Sequence, residues 1–552
     1  MRRVVIVGGV AGGMSAATRL RRLDSEVEIV VLEKSGYVSY ANCGLPYYVG
    51  GVIEDESALL LQTPKSLHDR FRLDVRVHNE VLGIDREAKS VIVLDRESTE
   101  IYTLSYEKLI LSTGASPIIP PIEGIERAFT LRTVEDVEAI VQQVAKAPSS
   151  AVIIGGGFIG LEIAENFVHK GIHTTIIEAA SQVLAPLDPE MAALLEKELS
   201  DNGVALYLGA SATSITERAV QLSDGREIPA DLVILAIGVR PDTSLVREAG
   251  LVVGPRGGVS VNEFNLTNDE NIYAIGDLAE KIDELDGSAT LVPLANLANR
   301  HGRVVADHIS GKDIRVVKTI GTAIVKVFNL TVATTGWNEK RLKGANIEYL
   351  VIHSHPNSHA GYYPDAQQMT LKLLFAPRSG EIFGAQAVGH DGVDKRIDVI
   401  ATAIRGEISA PELADLELAY APPFGSAKDP VNMLGYIAEN LLSGLVKTAQ
   451  WNEVDQYLNL GYQVVDVRTA TEFADGTLPS AINLPVDEIR ERVSELPGKK
   501  VLVTCQVGQR GHTATMYLKS LGYDAVNLDG GYLLWSNSPA KVSHKRKAIS
   551  NV

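Results

Sequence analysis

Cysteine is nearly missing from this chain: its 552 residues include two, Cys43 and Cys505. Two thiols cannot build a disulfide framework, so a reducing compartment is expected. Long apolar runs are missing as well. The first, Val4 to Val7, gives way at once to glycines and is too short for a signal core. No later run is long enough to span a bilayer, so a cytoplasmic protein that engages no membrane is expected. Positive charge is scarce: 52 Lys and Arg stand against 69 Asp and Glu, and the net charge of -17 argues against a general nucleic-acid binder. A local basic pocket for an anionic ligand stays open. The rest is ordinary globular composition, 45% hydrophobic and 22% charged, in a chain too long for one core, so several domains are expected.

Glycine, by contrast, is patterned. Val4 to Val7 leads into Gly8-Gly9-Val10-Ala11-Gly12-Gly13 and a helix-like run from Met14 to Leu23. Ala151 to Ile154 leads into Gly155-Gly156-Gly157-Phe158-Ile159-Gly160 and a helix to about Lys170. Strand, glycine turn and helix begin a dinucleotide-binding unit, and this chain has two such starts. A third start differs: Val501 to Thr504, then Cys505, then a glycine-containing loop and a helix from His512 to Leu521. The phrases Leu109 to Ala115, Leu232 to Gly238 and Asn271 to Asp277 suggest one nucleotide domain inserted within another: residues 1–115 with 241–320, interrupted by 116–240. Between 321 and 447, strand-like runs (Ala323 to Phe328, Met369 to Phe375) alternate with helices (Val393 to Arg405, Val431 to Ser443) and no glycine fingerprint, as in an α+β interface module. A short α/β domain covers 453–540, and Lys545, Arg546 and Lys547 read as a frayed basic tail.

In such turns the backbone amides and the helix N-terminus receive a pyrophosphate. Gly155, Gly157 and Gly160 stand at the G-x-G-x-x-G spacing; the first turn has Val10 in the middle place, so Gly8 and Gly13 alone keep it, with Gly12 alongside. Each turn has a second signal. Glu33, after the strand Glu28 to Leu32, and Glu178, after Thr174 to Ile177, lie about 20 residues on, where an acid bonds a ribose hydroxyl. With no arginine close behind Glu178, NADH is favoured over NADPH, which stays admissible.

The order of these motifs resembles the pyridine nucleotide-disulfide oxidoreductase family over roughly residues 1–445. The resemblance implies an α/β fold with two Rossmann-like domains and an α+β dimerisation domain, hence a homodimer. It implies FAD at the first turn and NAD(P)H at the second. It places Asp277 on the FAD ribityl chain and puts Lys34, Thr113, Gly114, Phe158, Ile159 and Gly238 among the cofactor contacts.

Cys43 has no C-x-x-x-x-C partner, since the residue five places on is Tyr48. Its second sulfur must come from a ligand, another chain or Cys505, or the thiol must cycle through sulfenic acid. A buried inert cysteine is the bland alternative. The phrase Ser39 to Tyr48 resembles the active-site motif of coenzyme A-disulfide reductases and of single-cysteine NADH oxidases and peroxidases. Ala11 stands where the peroxidase type carries histidine. Tyr362 and Tyr420 match two tyrosines that the reductases bring from the partner subunit, where a phenol serves a departing thiolate; interface packing is the alternative, and Tyr363 reads as packing. Ser15, Arg19, Arg22, Ser39, Asn42 and Lys428 match the reductases' coenzyme A contacts, while Asn299 replaces a histidine. Arg19 and Arg22 share a helix face suited to phosphates, though a solvated face explains them equally. The implied cycle takes electrons from NADH through FAD to a disulfide or persulfide on Cys43, which the flavin and its surroundings together should keep as thiolate.

Cys505-Gln506-Val507-Gly508-Gln509-Arg510-Gly511 follows a buried strand, and backbone amides, a helix N-terminus and Arg510 are expected to face the sulfur and stabilise a persulfide. The loop resembles that of a single-domain rhodanese, supported by Val465-Asp466-Val467-Arg468, Glu472-Phe473 and Leu528-Asp529-Gly530-Gly531-Tyr532. Thr477 stands where rhodaneses usually have histidine. A cysteine phosphatase shares the C-x5-R spacing but not these phrases. The expected activity is NADH-dependent reduction of coenzyme A disulfide, coenzyme A persulfide or polysulfide, with sulfur relayed between Cys505 and Cys43. The alternatives are an NADH oxidase or peroxidase, and a sulfur carrier or redox sensor.

Overall fold

Runs rich in Val, Ile and Leu become central strands, because a strand covered on both faces is apolar throughout. In this computed structural model, which describes residues 2–541, Arg3–Val7 lies in parallel between Glu28–Leu32 and Lys108–Leu111. Asp74–Arg76 and Ile272–Ala274 form the edges of that sheet. A second parallel sheet sets Ser150–Ile154 between His173–Glu178 and Leu232–Leu235. In sequence these strands fall between two strands of the first sheet, and the two crossings, Ala115–Pro117 and Val239–Pro241, pair antiparallel. Both sheets belong to a unit made of the residues up to Ala179 and Gly209–Thr319.

The helix after the first turn is Ala11–Leu23, so it begins before the expected Met14 and takes in Gly12 and Gly13. The reason is close packing: a Cβ on Gly13 would lie 1.9 Å from the Gly8 carbonyl oxygen, and one on Gly160 2.1 Å from that of Gly155.

The other unit comprises Ala180–Leu208 and the chain from Ile320. Its antiparallel sheet has the order Ala323–Val327, Leu330–Gly336, Ile382–Gly389, Met369–Phe375, Leu350–Ser354. The helices Val393–Arg405 and Pro430–Leu442 set Ile397, Ile400 and Leu434 against Leu371, Leu373 and Phe375. A five-stranded parallel sheet follows, with Lys500–Thr504 central between Asp524–Leu528 and Gln463–Asp466. Its buried central strand runs straight into Cys505. The next helix is Gln509–Ser520, which starts ahead of the expected His512 and puts Arg510 in its first turn. No helix among the described residues is long and apolar enough to cross a membrane, and the basic triplet Lys545 to Lys547 lies outside them.

Candidate active sites

The two glycine turns are built alike. Gly8 has φ 102° and a Cβ there would meet the Ser112 carbonyl oxygen at 2.2 Å; Gly155 has φ 112° and would meet that of Ala236 at 2.4 Å. Only glycine fits both. The middle position differs: Gly157 has φ -83° and a Cβ on it would meet nothing within 4 Å. Val10, its counterpart, has φ -108°, a backbone conformation that any residue adopts. The Gly9 amide donates to Glu33 Oε2 at 2.8 Å, and the Gly156 amide donates to Glu178 Oε2 at 2.8 Å. Tight glycines and an acid at each turn fit a dinucleotide at both places, and the second turn adds open space at its middle residue. Phe158 and Ile159 open the second helix. Asp277 accepts from Arg132 at 3.0 Å. Thr113 donates to the Asp242 carbonyl at 3.3 Å, the Gly114 carbonyl accepts from the Asp242 amide at 3.1 Å, and Lys34 lies 3.9 Å from the Asp242 carboxylate. The Gly238 carbonyl accepts from Ile118 at 3.0 Å.

Cys43 lies in the short turn Asn42–Gly44 and is exposed. Ser39, at φ 49°, donates its amide to the Gly9 carbonyl at 2.9 Å and so ties the cysteine segment to the first turn. The expectation of a thiolate-stabilising setting is not met by the protein groups. Desolvation by the surrounding chain, followed by the Glu162 and Asp277 charges, pushes the Cys43 thiol up, and Arg132 opposes this only in part. Glu162 itself is pushed up to about 7 by burial and accepts from the Tyr47 hydroxyl at 3.2 Å. Asn42 Oδ1 is buried with no hydrogen-bond partner among the described residues, an acceptor suited to a ligand.

The coenzyme A set is only partly assembled. Ser15 Oγ donates to Asn299 Oδ1 at 2.7 Å. Arg19 does not offer an open phosphate fork: it is bonded to the buried Asp307 at 2.7 and 3.1 Å, because that carboxylate requires cations. Arg22 lies over the Phe71 ring at 5.4 Å. In the other unit, Lys428 is exposed, with its Nζ 5.9 Å from the Tyr436 ring. Tyr362 and Tyr420, 77% and 48% exposed, meet hydroxyl to hydroxyl at 3.0 Å. Tyr363 packs edge-on against His359, with centroids 5.6 Å apart.

Cys505 is buried, and the Gly508 amide donates to its Sγ at 3.1 Å. Arg510, expected to face the sulfur, lies close enough to feel the Cys505 charge but gives its hydrogen bonds to a carboxylate. It forks onto Glu472 at 2.6 and 2.8 Å, and that hydrogen-bonded pair holds the Glu472 carboxyl down at about 2. A second cation, Arg468, also reaches the loop: it grips Asp466, donates to Gln506 Oε1 at 3.1 Å and lies 4.2 Å from the Tyr532 ring centroid. Thr477, in the place of the usual histidine, donates to Asp466 Oδ2 at 2.7 Å. Sequence reasoning passed over Arg468, although its phrase was recognised; Glu162 and Arg132 carried no local signal at all.

Asp188, Glu190 and Glu339 converge as a metal site would, but the Lys372 ammonium is already among them, 2.9 Å from Asp188, 2.6 Å from Glu339 and bonded to Glu190.

Comparison with known proteins agrees with this geometry. The pyridine nucleotide-disulphide oxidoreductase model matches residues 2–302, the dimerisation domain of that family residues 322–430 and a rhodanese-like domain residues 450–538. Coenzyme A disulfide reductase of Staphylococcus aureus is 36% identical over 441 residues, 80% of this chain and 100% of the relative. The crystal structure of reduced CoADR-RHD of Bacillus anthracis is similar at TM-score 0.95 and 48% identity, over 97% of this chain and 98% of that one. A NAD-dependent persulfide reductase from A. fulgidus is similar at TM-score 0.92 and 36% identity, over 97% of this chain and 100% of that one. The chain belongs to the pyridine nucleotide-disulfide oxidoreductase family, as a flavin- and nicotinamide-dependent oxidoreductase fused to a rhodanese-like domain.

Proposed function

We propose that this enzyme uses NADH to reduce coenzyme A disulfide, coenzyme A persulfide or polysulfide at Cys43, and that Cys505 carries sulfane sulfur in the rhodanese-like domain. The observation that carries the reading is an exposed Cys43 with no second cysteine in its turn, so the second sulfur arrives with the substrate. The similarity to a coenzyme A disulfide reductase and to a persulfide reductase supports it. Bound FAD supplies the two-electron relay between nicotinamide and sulfur.

The chain's own residues do the rest. Gly8, Gly12 and Gly13 hold the FAD pyrophosphate, with Glu33 on its ribose and Asp277 on its ribityl chain. Gly155, Gly157, Gly160 and Glu178 hold the nicotinamide dinucleotide. Cys43 attacks one sulfur of the substrate; the substrate S–S bond breaks, a Cys43–S–S bond forms, and coenzyme A thiolate or hydrosulfide leaves. Two electrons then cleave the new disulfide and return the Cys43 thiolate with a second thiolate. Tyr362 and Tyr420 of a partner subunit protonate the leaving sulfur. Ser15, Arg19, Arg22, Ser39, Asn42 and Lys428 hold coenzyme A, and Arg19 then exchanges Asp307 for phosphate.

The test is NADH oxidation with coenzyme A disulfide, coenzyme A persulfide, polysulfide, peroxide and oxygen, using the wild type, Cys43→Ser and Cys505→Ser. Cys43-dependent turnover fastest with a sulfur acceptor is expected. Peroxide or oxygen as the best acceptor overturns the reading. Persulfide turnover unaffected by Cys505→Ser removes the relay and leaves the reductase.

A further inference from the structure

A buried chain of charged side chains leads from the antiparallel sheet to the Cys505 loop, all within one unit. His353, on the strand Leu350–Ser354, is 3% exposed and has both ring nitrogens on carboxylates: Nδ1 is 2.7 Å from Asp529 Oδ2 and Nε2 is 3.1 Å from Glu190 Oε1. Its backbone amide donates to the same Asp529 oxygen at 2.9 Å. Two residues on, the neighbouring His355 is pushed down to about 3 by burial and then the His353 charge, so it is neutral. His355 Nε2 lies 3.1 Å from the Gly530 carbonyl and its Nδ1 3.0 Å from the Thr370 hydroxyl. Neutral imidazole then donates to Gly530 and accepts from Thr370.

The segment held at Asp529 and Gly530 grips the cysteine loop with its next residues. Tyr532 donates its amide to the Cys505 carbonyl at 2.7 Å, and Leu533 donates to that of Gln506 at 2.9 Å. Gly531 has φ 62°, and a Cβ on it would lie 2.5 Å from the Cys505 carbonyl oxygen. Neither histidine takes part in the chemistry proposed above.

We infer that His353 and Asp529 are positioning residues for sulfur transfer: the reductase part's antiparallel sheet, through this bond, holds the backbone that shapes the Cys505 loop. This rests on the reading of Cys505 as a sulfur carrier. Cutting the bond leaves the segment from Asp529 to Leu533 anchored through Ala449 and His355 but without its hold at the Asp529 side chain, so the donors to the Cys505 and Gln506 carbonyls are loosened. The loop then no longer keeps the sulfur at the Gly508 amide.

The groups facing His353 are Asp529, Glu190, Lys372 and neutral His355. Burial alone would lower the His353 pKa, but the hydrogen bonds to Asp529 and Glu190 outweigh it and hold it up at about 9. As imidazolium it donates to both carboxylates; above that pH one of them loses its donor.

The experiment uses the full-length flavoprotein with thiosulfate as sulfur donor and cyanide as acceptor, comparing wild type, Cys505→Ser, His353→Gln and Asp529→Asn. NADH oxidation with coenzyme A disulfide serves as the reporter for Cys43. Both positioning variants are expected to lower the sulfur-transfer kcat at least about tenfold with little change in the donor KM, and to leave the Cys43 reaction unchanged. The wild-type kcat is expected to decline as pH rises through about 9, and His353→Gln to lack that limb. Wild-type sulfur-transfer rates in both variants overturn the inference while the carrier reading stands. Should His353→Gln lose both activities together, Asp529→Asn, which keeps the side-chain shape and removes the charge that holds the His353 imidazolium, decides alone. A wild type with no Cys505-dependent transfer overturns the carrier reading, and this inference with it.

Discussion

At Cys43 the nearby carboxylates work against ionisation, and one of them is removable. Glu162 contributes a repulsive charge after the larger effect of desolvation. Glu162→Gln should therefore lower the Cys43 pKa and speed its alkylation at neutral pH. Iodoacetamide rates against pH in a Cys505→Ser background measure this, and an unshifted or upward-shifted profile refutes it. The candidate residues named from sequence are met in the structure with unequal success. Cys43, Glu33 and Glu178 sit at their turns, whereas Arg19 and Arg510 each found a carboxylate partner, Asp307 and Glu472, that no spacing announced. A motif records which residue types lie near each other along the chain; an ion pair depends on what folds against them.

On the scale of one element, the strand-turn-helix unit separates residues needed for folding from residues needed for binding. Gly155→Ala puts a Cβ 2.4 Å from the Ala236 carbonyl oxygen at φ 112°, and a destabilisation of about 1–3 kcal/mol is expected in thermal or urea unfolding. Gly157→Ala meets nothing within 4 Å at φ -83°, so the unfolding curve should stay as it is. The added methyl then enters the space proposed for the pyrophosphate, and the KM for NADH should rise roughly tenfold. Equal effects of the two substitutions on stability would contradict this division. The helices were legible to within a few residues; their starts moved toward the turns because the glycines there pack as helix, a tertiary fact about the Gly8 and Gly155 carbonyls.

Over the molecule as a whole, the buried charges of the second unit should govern pH stability. Lys372 is fully buried among Asp188, Glu190 and Glu339. Lys372→Met removes the buried ammonium that those three carboxylates share and should cost about 3–5 kcal/mol, read as a fall in Tm. His353 is raised from 6.5 to about 9, so its contribution is full below about 6.5 and is lost as pH rises through about 9. Burial would raise Glu339, but the Lys372 charge outweighs it and holds the carboxyl at about 2 against an ordinary 4.5. Its contribution is present above 4.5 and is lost as pH falls through about 2. A Tm profile with an alkaline decline that His353→Gln flattens is the expected result; a flat wild-type profile between pH 6 and pH 9 would count against it.

The sequence by itself determined the two nucleotide-binding starts, the acid that serves each, the unpaired state of Cys43 and the cysteine loop after a buried strand. These are local: a positive φ demands glycine, a doubly covered strand demands apolar residues, and both demands are written in consecutive letters. Only the tertiary structure decided that Glu162 faces Cys43, that Arg510 answers Glu472, and that His353 holds Asp529 beside the Cys505 loop. Coulomb energy and desolvation depend on distance through space and on what excludes water, and neither is a function of separation along the chain.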